Sequence, residues 1–148
     1  MKRFAFSLER LLSYKRQVFD AERAILGDMH AALARFTAEL REIKAETRRR
    51  ADELAELSAR GTSVVEMQRH KNYLRRLDEA AWEKNRQITL QRQAIEVQTE
   101  KVREAKIEIS TIENLRERKL EEYRYAENKE QELFIEEFVS FQRSVVNG

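Results

Sequence analysis

Two histidines, His30 and His70, are the side chains of this sequence best suited to bind a metal ion. A metal site asks for His, Cys or carboxylate ligands in close spacing. Neither histidine has such company, and there is no cysteine to supply a thiolate or a disulfide. Both histidines are therefore expected on the surface. There is no Gly-rich phosphate loop, no GKS or GKT, and no serine elbow. Carboxylates are numerous, but they are spread along helix-forming sequence and nothing gathers them into a concave site. The reading is of a chain without catalysis, metal or cofactor. Its business must lie in surfaces offered to other proteins.

The elements that carry those surfaces are helices. Among 148 residues there is no proline, there are three glycines, and 38% of the residues are charged. That composition belongs to long helices and coiled coils, which bury a seam and not a globular core. From Met67 the apolar residues Leu74, Ala81, Ile88, Ile95, Val102 and Ile109 recur every seven positions without a slip. Such a stripe winds left-handedly against a partner helix. The interleaved positions Leu77, Lys84, Gln91, Gln98, Ala105 and Ile112 are apolar at the ends and polar in the middle. A polar middle weakens the seam there and favours specificity or mobility.

Upstream, Ser7 is a candidate N-cap. It is followed by Leu8, Leu11, Val18, Ile25, Met29, Ala32, Phe36, Leu40, Ile43, Leu54 and Leu57 at steps dominated by three and four. Lys15, Glu22, Thr47 and Arg50 interrupt this series. Two steps of four around Phe36 predict a stutter that unwinds the supercoil locally. Gly27 reads either as a tolerated surface glycine or as a point of close helix approach.

One break is credible. Gly61 can take the left-handed conformation that ends a helix, and Ser63-Val64-Val65-Glu66 is a capping box that starts the next. The expected fold is all-α, an antiparallel two-helix coiled-coil hairpin in a single domain over 1–148. Helix 1 spans about 7–60, the turn 61–63, and helix 2 about 64–145. At 1.5 Å per residue the helices are roughly 80 Å and 120 Å long. A turn near 62 sets Phe36 near Ile88, Met29 near Ile95, Ala81 near Ile43 and Ile112 near Leu11. On this reading Arg116 and all that follows has no partner in the chain, so helix 2 overhangs helix 1 by about 40 Å.

Two apolar surfaces remain. Tyr73, Leu77 and Ala80 form one stripe of helix 2, with Ile43 beside Ala80. They read as the flank of the hairpin core or as a docking patch. On the overhang, Phe134, Phe138, Phe141 and Val145 fall at i, i+4, i+7 and i+11. They read as a site of self-association, as a fold-back after a kink near Asn128, or as a plug for another protein, with Phe4 and Phe6 at its shoulder.

Net charge is +2, and acidic Glu42 and Glu46 interleave with Arg41, Lys44, Arg48 and Arg49. A nucleic-acid partner is therefore not expected. The opening residues are basic and then briefly apolar, but Glu9 and Arg10 interrupt them too soon for a signal peptide. No uncharged run approaches the length of a transmembrane helix, so direct membrane insertion is not expected either.

Three segments carry a resemblance. They are Phe4-x-Phe6-Ser7-Leu8-Glu9-x-Leu11-Leu12, Asp20-Ala21-x-x-x-Ile25-Leu26-Gly27-Asp28-Met29 and Asn72-Tyr73-x-x-x-Leu77-Asp78-x-Ala80. In these, and in length and layout, the chain resembles the flagellar export protein FliJ family. The resemblance implies a cytoplasmic, non-enzymatic part of the flagellar type III export apparatus, peripherally associated with it at the inner membrane. It implies a coil similar to the central stalk of rotary ATPases, with three kinds of partner. These are the pore of the hexameric export ATPase, the membrane export-gate protein, and export chaperones. The gate-contacting patch would correspond to Ile43, Tyr73, Leu77 and Ala80. Glu39, Glu46, Arg50 and Lys84 depart from the polar amide, aromatic or histidine groups the family often has around it. The stalk proteins of virulence-type secretion systems and a self-assembling structural coil are the alternative readings.

Overall fold

The computed structural model describes residues 2–147. Two helices pack against each other, α1 over Glu9–Arg60 and α2 over Val64–Asn147, with no strand among the described residues. The turn between them is built as its sequence dictates. Gly61 takes φ 87°, a left-handed value that a Cβ would strain. Ser63 Oγ accepts the backbone N–H of Glu66 at 3.2 Å, and the Thr62 hydroxyl donates to the Glu66 carboxylate at 2.8 Å. One donor left free by the helix start is thus satisfied, and α2 begins at once.

The chain divides into two compact units, one of residues 21–102 and one of residues 1–20 with 103–148. In the first, the α1 seam runs Glu22, Leu26, Met29, Leu33, Phe36, Leu40, Ile43, Thr47, Arg50, Leu54, Leu57, every one buried or half-buried. The steps alternate four and three throughout. Leu33, and not Ala32, fills the layer before Phe36, so the expected stutter does not arise. Gly27 is exposed, and a Cβ there would meet nothing within 4 Å, so it is a tolerated surface glycine. Facing it, α2 presents Ile88 and Ile95 as buried layers. His30 is exposed, but His70 occupies a half-buried seam position three residues after Met67, contrary to expectation.

The polar middle of the seam is fully engaged. Gln91 Nε2 donates to the main-chain oxygen of Met29 at 3.0 Å. Gln98, 6% exposed, donates to the main-chain oxygen of Glu22 at 2.9 Å and also reaches its carboxylate. Lys84 pairs with Glu39 and lies over the Phe36 ring. These pairs hold the antiparallel register within a turn of that expected, as a polar seam residue does in other coiled coils. A burial of this kind favours register over stability. Gln98→Leu is therefore expected to raise the unfolding free energy by about 1 kcal/mol, read from urea unfolding followed by circular dichroism. The Glu22 oxygen keeps its own helix N–H, so nothing is left unsatisfied.

In the other unit the core is Leu12, Ile109 and Ile112, with Phe6, Leu8 and Phe19 packed against it. Leu12 is 0% exposed while Leu11 is 40% exposed, so the seam runs Leu8, Leu12, Lys15, Phe19 and not through Leu11. Lys15 belongs to the seam: its stem covers apolar surface and its ammonium reaches Glu108 at 2.8 Å. Ser7 is not the N-cap. The Glu9 N–H bonds to Phe6 O in a turn, and α1 starts at Glu9, because Phe6 and Leu8 are drawn into the core.

The stretch after Arg116 is not without partners. Arg116 pairs with Glu9 at 3.0 Å and its guanidinium lies 5.6 Å over the Phe4 ring. Phe4 meets Tyr123 with centroids 5.6 Å apart, and the Tyr123 hydroxyl donates to Lys2 O. The segment before α1 is not helical, so each of its residues covers about twice the length of a helical one. It carries the seam on to Tyr123. Burial ends at Glu127, and residues 128–147 are exposed throughout. That run is roughly 30 Å long.

Candidate partner-binding surfaces

Among the described residues no group of three His, Cys, Asp or Glu could hold a metal ion, and no helix is long and apolar enough to cross a membrane. The surfaces left to consider are apolar or charged.

The first lies in the unit of residues 21–102. Ile43 of α1 and Leu77 of α2, both half-buried, line one shallow groove with Glu39, Glu46, Arg49 and Lys84. Tyr73 stands beside it, half-buried, its ring 4.8 Å below the Arg50 guanidinium and its hydroxyl 3.5 Å from the Glu46 carboxylate. Ala80 is exposed on the same helix and does not line the groove. Structure thus brings Ile43 and Leu77 together and sets Tyr73 next to them under a cation. The charged residues around them form two groups, Lys84 bonded to Glu39 in one and a set centred on Glu46 in the other. Glu46 takes hydrogen bonds from Arg49 and Arg50, and Arg50 also reaches Glu53 at 3.4 Å.

Those bonds set the acid response. The Arg49 and Arg50 guanidiniums hold the Glu46 carboxyl below its usual 4.5, and the bond from Lys84 does the same to Glu39. A carboxyl lowered in the folded state stabilises the fold above its unfolded value, and that contribution is lost as pH falls. The melting temperature is therefore expected to hold above about pH 5 and to drop below pH 4.5, in thermal melts across that range. Glu46→Gln should flatten the drop. Equal acid sensitivity in the variant would show the Glu46 set to be inert.

The second surface is the end of α2. Phe134 is 69% exposed, Phe138 53%, Phe141 67% and Val145 63%. All four expected residues stand open. Phe134 shares a groove with Glu127, Glu130 and Glu137. Phe4 and Phe6 are placed differently. Phe6 is committed to the Leu12 core, and Phe4 to Tyr123 and Arg116, so both lie within the fold and not on the open stretch.

A third surface escaped the sequence reading. Trp82 is 68% exposed and shares a groove with Leu90, Arg86 and Thr89 on α2. It follows the seam residue Ala81 by one position and so faces outward. A full heptad assignment of α2 would have found it.

Comparison with curated proteins returns no match, and neither does comparison with solved structures. A family model, described as the flagellar FliJ protein, matches residues 4–146. The match covers both helices, the turn and the open end, and on it the chain belongs to the flagellar FliJ protein family, a component of the flagellar export apparatus.

Proposed function

We propose that this chain, acting as one coiled-coil domain without catalysis of its own, is the stalk of the export ATPase. In this reading the open end of α2 enters the pore of the hexameric ring. The Ile43, Leu77 and Tyr73 surface, with Ala80, meets the membrane export-gate protein, and export chaperones bind in turn. The work is done in the cytoplasm, at the apparatus on the inner membrane. The observation that carries the reading is the stripe of Phe134, Phe138, Phe141 and Val145, each more than half exposed with no segment of the described residues over it. Apolar side chains in such number on one helix stripe are covered by something in their working state. A single helix is slim enough to enter a ring, and the Phe4–Tyr123 brace marks where it thickens to more than one segment.

Pull-down of the export ATPase by the full chain, with and without the Phe134→Ser, Phe138→Ser and Phe141→Ser substitutions, tests it. Capture by the wild type alone is expected. Equal capture by both would move the contact elsewhere.

The gate contact has its own test. Tyr73 is half-buried at the margin of the seam, so Tyr73→Ala should change the melting temperature by no more than a few degrees. Gate-protein binding, measured by calorimetry, should weaken about tenfold, as when an interface aromatic is truncated. A large loss of stability with binding intact would make Tyr73 part of the fold only.

A further inference from the structure

Between the turn and Trp82 the hairpin sorts its charges by face. Tyr73 and Glu46 meet on one side of the seam. Residues one and four places after the seam residues Leu40, Thr47, Leu54, Met67, Leu74 and Ala81 therefore stand on the other side. All twelve are exposed. They include Arg41, Lys44, Arg48, Lys71 and Arg75 against one carboxylate, Asp78. Glu42 and Glu46, which interleave with these cations in sequence, fall on the Tyr73 side, where Arg49 and Arg50 engage Glu46.

Among the described residues no carboxylate pairs with any of the five cations. The Tyr73–Glu46 and Met29–Gln91 contacts set the register, and by it Arg48 stands level with Lys71, and Lys44 with Arg75. Flanking positions of a coiled coil commonly hold opposite charges across the seam. Here like charges are set beside each other, which costs stability unless an anion lies over them. Trp82 closes the face, 68% exposed, and the remaining positions are Ala, Ser, Gln or Asn.

We infer that this face rests on an anionic phospholipid surface. A partner helix or protein seats apolar side chains at the centre of its contact. Here the centre is cationic and Trp82 stands at one end. A nucleic-acid duplex is a rod, and it would meet two side-by-side helices along a single line. Lipid headgroups form a flat field of negative charge that needs no fixed matching, and each cation near it strengthens binding by roughly fivefold. An indole beside such cations belongs at headgroup depth. The chain lies on the surface without crossing it, as no described helix is long and apolar enough to do so. The Ile43, Leu77 and Tyr73 groove is on the opposite face and stays open.

Vesicle co-sedimentation of the full chain tests this, with phosphatidylcholine alone and with equal parts of phosphatidylcholine and phosphatidylglycerol. Binding is expected to the mixed vesicles only, and it should fall as salt screens the charges. Trp82 is the one tryptophan of the chain, so the emission should shift to the blue on the same vesicles. Arg48→Gln, Lys71→Gln and Arg75→Gln together should weaken binding at least tenfold. Arg60→Gln, Arg69→Gln and Arg76→Gln remove as much charge from the Tyr73 side and should leave binding within about twofold. Circular dichroism should match wild type in both, and if one variant fails to fold, the Trp82 shift of the wild type still decides. A wild type that ignores mixed vesicles, or binds them with Trp82 emission unshifted, overturns the inference. So does equal weakening by both variants, which would mean net charge alone. Tighter binding to duplex DNA than to mixed vesicles overturns it too and would make this a nucleic-acid surface.

Discussion

Leu12→Ala is expected to lower the unfolding free energy by about 2–5 kcal/mol, the cost of deleting a large apolar side chain from a packed site. Leu12 is the largest fully buried side chain of the described residues, at 0% exposed, and it joins Ile109 and Ile112 to Phe6, Leu8 and Phe19. A seam one residue deep has few neighbours that can collapse into the space. The neighbouring Leu11→Ala is the control. Leu11 is 40% exposed, and its loss should cost less than about 1 kcal/mol. Urea unfolding of both variants by circular dichroism decides between them. Equal costs would mean that the seam passes through Leu11 after all.

The second large effect is on binding. With Phe134→Ser, Phe138→Ser and Phe141→Ser together, affinity for the ATPase ring is expected to fall at least a hundredfold, and stimulation of hydrolysis with it. Burying one such ring contributes roughly 1.5–3 kcal/mol, and about 1.4 kcal/mol is a factor of ten in affinity. Three rings exceed a hundredfold even after ordering costs are set against them. The melting temperature should not move, because residues 128–147 are exposed along their whole length. Serine at Val64 and Val65 beside the turn, also exposed, should leave stimulation unchanged. Fluorescence titration and a hydrolysis assay on the same samples read both quantities.

The second helix was legible because its apolar layers keep one period from Met67 to Ile109, and a turn with both a stop and a start signal fixes the pairing. The first helix was harder to read for a physical reason. Lys15 and Glu22 sit in its seam, where their stems are buried and their heads find Glu108 and Gln98. A search for apolar residues alone steps over them and lands on Leu11. The start of the chain misled in the opposite way. Phe4 and Phe6, expected at the shoulder of the open end, are held within the fold, because the non-helical segment before α1 reaches α2 and sets Phe4 on Tyr123 and Phe6 on the Leu12 core. Of the candidate surfaces, the Phe134 stripe was plain from its spacing at i, i+4, i+7 and i+11, beyond the last residue of α2 that a hairpin register pairs with α1. The Trp82 face was not, since only its offset by one from the seam sends it outward.

The central claim is that the open end of α2, and not the turn, meets the ring. The most direct measurement places a photo-crosslinking residue at 138 in one sample and at 64 in another, each incubated with assembled export ATPase and irradiated. The account predicts a crosslink to the ATPase subunit from position 138 and none from position 64. Crosslinking from 64 alone would contradict it and place the ring contact at the Gly61 turn.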